Sequence, residues 1–245
     1  MLKIFIAAAI VLIVAVIIIL LLYHFGFIEF YHPMKQAKNN QIKVACVGDS
    51  ITFGCTVRNR NKNNYPAVLG RMLGEKYCVN NFGYTNRTAI KSADYPYTNE
   101  KLYQQSLDLK PDIVVIMLGS NDSKVNNWDR DKFIKDYCEI IDSYLKSESS
   151  PKVYVLAPPP LFEIRGKVMW QLRKNIVDNE ICPVVKFIAD KMNVHYIDMH
   201  SIFENKRELF SDGVHPNAKG SRLFAQTIYE AIIETKKSNS THEDV

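Results

Sequence analysis

The sequence predicts an α/β sandwich built on a parallel sheet of about five strands, and three observations predict it. Short apolar runs rich in β-branched residues recur at 42–47, 78–82, 113–118, 153–157 and 194–197. Their hydrophobicity is continuous rather than alternating, the pattern of strands covered on both faces. Helical patterns alternate with the runs, as they do in α/β folds.

The first element lies outside that sandwich. Residues 4–23 carry no charge, Gly or Pro, and as a helix rising 1.5 Å per residue they are long enough to cross a ~30 Å hydrocarbon core. The expectation is an N-terminal transmembrane helix within an anchor over 1–32. Tyr23, Phe25, Phe27, Phe30 and Tyr31 would then sit at headgroup level. The sequence after Leu22 lacks small-residue cleavage character, which favours a retained anchor over a signal peptide. Lys3 lies on one side of the segment and Lys35, Lys38 and Lys43 on the other. Taken alone those charges favour a cytoplasmic domain, but long following domains translocate largely regardless of charge, and the reading is extracytoplasmic.

A polar linker over 33–41 leads into one domain over 42–235, and 236–245 reads as a flexible tail. Within the domain, Pro66 followed by "AVLGRML" reads as a helix opening. Ile134, Tyr137, Cys138, Ile141, Tyr144 and Leu145 share one helical face, as do Phe224, Ile228, Ala231 and Ile232. The net charge of +5 is spread along the chain, and its brief basic stretches lack interleaved aromatics, so no nucleic-acid partner is expected. Of the five cysteines, Cys46 and Cys138 fall on apolar faces and read as core residues.

Four polar motifs follow the strands: Gly48-Asp49-Ser50, "NNFGYT" with Gly83, Gly119-Ser120-Asn121-Asp122, and Asp212-Gly213-Val214-His215. Open α/β sheets bind ligands beyond the carboxyl ends of their strands, so the motifs converge on one cleft. Ser50 can be a nucleophile, His215 its general base and Asp212 the group that orients the base. The N–H groups of Ser50 and Gly83 and the amide of Asn121 can donate to an oxyanion, with Ser120 and Asp122 in support. His195, Asp198 and His200 match no common metal-site spacing, and no metal or other cofactor is expected.

The set "GDSIT", "NFG", "GSND" and "DGVHP" resembles the SGNH hydrolases, also called the GDSL esterase/lipase family, over roughly 43–234. The resemblance implies a flavodoxin-like three-layer α/β/α fold and a Ser50-His215-Asp212 triad. It also implies an oxyanion hole of Ser50, Gly83 and Asn121. The "PPP" loop after the fourth run makes the chain look most like the family's carbohydrate O-acetylesterases. Asn126, Asn127 and Trp128 are then candidate sugar contacts. A lysophospholipase or thioesterase stays open, with Leu161 and Phe162 lining an apolar groove. A membrane-tethered, inactive glycan-binding module is the third reading.

Overall fold

The computed structural model describes residues 1–24 and 34–243, with side chains described at Met1 and over 5–21 and 34–235. In chain order the elements are α1 (Leu2–His24), β1 (Ile42–Gly48), α2 (Ser50–Phe53), α3 (Arg60–Asn63), α4 (Tyr65–Leu73) and β2 (Tyr77–Gly83). Then come α5 (Lys101–Asp108), β3 (Ile113–Met117), α6 (Arg130–Leu145), β4 (Lys152–Ala157) and α7 (Lys174–Ile176). The chain ends with α8 (Cys182–Met192), β5 (His195–Asp198), α9 (Met199–Phe203) and α10 (Ala218–Glu243).

The five strands form one parallel sheet in the order β2-β1-β3-β4-β5. Period-two alternation divides each strand's side chains between two cores. From β1, Ala45 and Val47 face the layer of α6 and α8, meeting Phe133, Tyr137 and Ile188. Val44 and Cys46 face the layer of α4 and α10, meeting Leu69, Phe224 and Ile228. The same split runs through β3 and β4. Helices on both faces bury the central strands, which explains their continuous apolar runs. At the edge, β5 breaks that pattern, since His195 is exposed and Ile197 alone is buried. No disulfide joins the five cysteines.

The stretch expected as a linker is tied to β2 through Lys35. The Lys35 backbone N–H donates to Asn80 Oδ1 at 2.8 Å, and the Lys35 carbonyl accepts from Asn80 Nδ2 at 3.3 Å. One side-chain amide thus holds this segment against β2.

The N-terminal apolar stretch is helical, and its side chains are exposed, with Phe5 at 71% and Leu12 at 67%. Among the described residues no helix is long and apolar enough to cross a membrane. The span expected there is therefore not shown. Of the aromatic residues expected at headgroup level, Phe25, Phe27, Phe30 and Tyr31 lie outside the described residues, as does the side chain of Tyr23. At the other end the backbone of α10 continues through Glu243, and the side chains of the expected tail lie outside the described residues.

Helix α4 begins where the sequence supplies both a cap and a proline. Buried Asn64 Oδ1 accepts the Ala67 N–H at 2.8 Å, and Pro66 occupies the first turn, where no backbone N–H is needed. Replacing Asn64 with Ala is expected to cost about 1 kcal/mol, read as a lowered urea midpoint at unchanged m-value.

Candidate active site

Ser50 leaves β1 with a single residue between, so its position follows from how α2 seats on the sheet. Gly48 and Gly83 are neighbours across β1 and β2. A Cβ on Gly48 would overlap Thr52 and the Met117 carbonyl, and one on Gly83 would overlap the backbone of Thr52 and Phe53. Both glycines therefore serve the close approach of α2 to the strands. Asp49 caps α2 through Oδ1, which accepts the Ile51 N–H at 2.9 Å, and Gly54 closes it in the left-handed region at φ 89°.

The loop 211–215 brings in the partners. Ser211 N–H donates to the His215 carbonyl at 2.8 Å, closing the loop on itself. Asp212 Oδ1 accepts the N–H groups of Val214 and His215 at 3.0 and 2.8 Å, while Oδ2 lies 2.7 Å from His215 Nδ1. His215 Nε2 lies 2.8 Å from Ser50 Oγ. With Asp212 ionised, Nδ1–H donates to the carboxylate and leaves Nε2 to accept from the serine hydroxyl. Burial is the largest single influence and works against the Asp212 charge, but the hydrogen bond and charge interaction with His215, together with the backbone N–H groups of His215 and Val214, jointly outweigh it and hold the carboxyl at about 2.

Below the cleft, the loop after β3 is built on buried polar groups. Asp122 accepts the N–H groups of Ala89 and Ile90 at 2.9 to 3.1 Å, tying this loop to the one after β2. Asn121 Nδ2 lies 3.3 Å from Asp49 Oδ2 and 3.2 Å from the Arg87 carbonyl, both at the long end for such bonds. Asn127 is buried and positions Asn121 by donating to its carbonyl at 3.0 Å.

A cleft of about 180 Å³ opens at Ser50, lined by Asn121, His215, Thr85, Asn86, Trp170 and Leu172 among others. Several expected contacts lie elsewhere. Gly83 is not among the cleft residues, and its N–H donates to Asn81 Oδ1 at 2.8 Å. The expected oxyanion donor is therefore already engaged. Asn86, three residues on, lines the cleft in the left-handed region at φ 62° and is exposed. Its "YTN" context holds no glycine to draw attention, which is why sequence reasoning passed it over.

Trp128 does not reach the cleft. Its ring packs on Phe133 and its indole N–H donates to Glu180 at 2.7 Å. Leu161 is buried in the core, and Phe162 packs on Phe210 while its N–H donates to the Gly213 carbonyl at 2.8 Å. Neither lines the cleft, because this segment is used to brace the loop carrying His215. Asn126 sits exposed in a turn. Away from the site, His195 stacks on Tyr154, His200 bonds Asp178 at 2.9 Å and Asp198 caps α9.

Residues 46–223 match the GDSL-like Lipase/Acylhydrolase family, a span that holds the whole cleft. The chain belongs to this family. The GDSL chain is 34% identical over 214 residues to an acetylxylan esterase of Xylanibacter ruminicola, covering 80% of the chain and 44% of that protein. It is 25% identical over 244 residues to a multidomain esterase of Ruminococcus flavefaciens, covering 82% of the chain and 29% of that protein. It thus spans less than half the length of these two relatives. Among solved structures, the carbohydrate acetylesterase Est24 from Sinorhizobium meliloti shares the fold, with a TM-score of 0.64 at 22% identity. That match covers 80% of the GDSL chain and all of Est24.

Two outcomes test this geometry. Gly83→Ala is expected to lower stability by about 3 kcal/mol, read by thermal melting, because backbone and not a flexible side chain occupies the space. The second concerns Asp122, whose carboxyl burial raises to about 7 despite its backbone hydrogen bonds. A carboxyl raised on folding makes the folded state hold its proton longer, so its contribution declines as pH rises from about 4 toward 7. Between pH 5 and 8 the protein is expected to lose on the order of 1–2 kcal/mol more than Asp122→Asn does, measured by denaturant unfolding at each pH.

Proposed function

We propose that this chain is a serine esterase that removes O-acetyl groups from carbohydrates. The observation that carries the reading is the unbroken chain from Ser50 Oγ through both ring nitrogens of His215 to the Asp212 carboxylate. Ser50 Oγ attacks the ester carbonyl as His215 Nε2 takes its proton, and Asp212 stabilises the imidazolium that forms. The backbone N–H groups of Ser50 and Asn86 and the Asn121 amide receive the oxyanion. The long Asn121 contacts to Asp49 and Arg87 are the ones given up as that charge develops. His215 then returns the proton to the leaving alcohol. Water, activated by the same imidazole, releases acetate and regenerates Ser50.

Size supports the acyl group chosen. A cleft of about 180 Å³ is smaller than the ~300 Å³ at which drug-sized ligand pockets begin, and suits acetate better than a lipid chain. The similarity to an acetylxylan esterase supports a carbohydrate alcohol. The exposed apolar side chains of α1 support a membrane tether, and an extracytoplasmic domain on that tether would meet a polymeric glycan directly.

Hydrolysis of 4-nitrophenyl esters of increasing acyl length tests both parts. Acetate is expected to be cleaved best, butyrate at least tenfold less efficiently, and Ser50→Ala to lose at least about 10³ of kcat. A preference for octanoate would transfer the reading to lipid acyl chains. A folded protein without Ser50-dependent turnover would leave a binding module.

A further inference from the structure

The loop between β4 and α7 is pinned on both sides of one conspicuous residue. On the upstream side, Phe162 N–H donates to the Gly213 carbonyl, and Ile164 and Lys167 exchange backbone hydrogen bonds at 2.8 and 3.2 Å. On the downstream side Leu172 is buried, and Arg173 bonds Ser123 Oγ, the Ser123 carbonyl and the Lys124 carbonyl. Between these anchors Trp170 and Gln171 both adopt left-handed backbone conformations, at φ 63° and 60°. Such residues persist only where the surroundings impose them.

That conformation holds the Trp170 indole in the cleft while leaving it 48% exposed. Its edge meets the His215 ring with centroids 6.3 Å apart and planes at 66°, and its N–H lies 3.4 Å from Asp212 Oδ2. It is the one large aromatic among the described residues lining the cleft, and it shares that cleft with the exposed Asn86. An aromatic face beside a side-chain amide is the chemistry that recognises a pyranose. The ring's C–H face meets the electron-rich face of the indole, and its hydroxyls meet the amide.

We propose that Trp170 is a stacking platform for the sugar ring that carries the acyl group, and that it sets selectivity for glycan esters over simple esters. This rests on the esterase reading above. It goes further by assigning recognition of the alcohol to a single side chain beside the reacting atoms.

The test measures kcat and KM on an acetylated xylo-oligosaccharide and on 4-nitrophenyl acetate for the full chain, Trp170→Ala and Trp170→Phe. The quantity read is selectivity, the ratio of kcat/KM on the oligosaccharide to that on 4-nitrophenyl acetate. Trp170→Ala is expected to lower it at least tenfold through a raised KM for the oligosaccharide. Trp170→Phe is expected to keep it within about threefold of the parent. A ratio unchanged in Trp170→Ala overturns the platform and leaves the indole as a cover for the His215–Asp212 pair that serves every ester. A parent protein active on 4-nitrophenyl acetate but inert to the oligosaccharide also overturns it while the esterase reading stands. Inactivity of the parent on both substrates fails that reading itself, and the platform with it.

Discussion

The close seating of the α2 turn against β1 and β2, permitted by the missing side chains of Gly48 and Gly83, is the constraint on which the cleft depends. It is a contact between backbones, reinforced where Asn81 Nδ2 donates to the Thr52 carbonyl at 2.9 Å. Backbone contact leaves little freedom to repack, so Ser50 occupies one position relative to the sheet. His215 arrives from the far end of the chain, and a 2.8 Å hydrogen bond to Ser50 tolerates little error in either seat.

Beneath that surface the interior holds two buried carboxyls, Asp49 and Asp122. Burial raises the Asp49 carboxyl to about 6 and the Asp122 carboxyl to about 7, each against the hydrogen bonds that favour its charge. Buried carboxylates are costly unless each oxygen has a partner; Asp49 accepts from a backbone N–H of α2 and from the Asn121 amide, and Asp122 from backbone N–H groups of the loop after β2. The cost holds two loops and one short helix in mutual register. A well-packed apolar cluster would fill the same space, but it could not orient the Asn121 amide at the cleft floor.

Asp212 shows the opposite balance. Its carboxylate is lowered because one oxygen organises the backbone of its own loop while the other holds the imidazole. Phe162 and Gly213 link this loop to the segment that carries Trp170. His215, Asp212 and Trp170 therefore belong to one mechanical unit at the cleft's rim.

The sequence by itself determined the α/β class, the strands to within a residue or two, and the grouping of Ser50, Asp212 and His215, whose side chains the fold brings within hydrogen-bond distance. These were legible because their physics is local. Continuous apolar runs report two-sided burial, and a Ser after the first strand with an Asp and a His in one loop after the last report shared chemistry. Only the tertiary structure decided that Gly83 relieves a backbone contact instead of facing the cleft. It also decided that Trp128, Leu161 and Phe162 pack internally while Asn86 and Trp170 face Ser50. A glycine is permissive wherever space is short, and a tryptophan looks the same in sequence whether its ring is buried or presented. Which of these occurs depends on the neighbours that the strand order β2-β1-β3-β4-β5 brings alongside, and those neighbours lie tens of residues away in the chain.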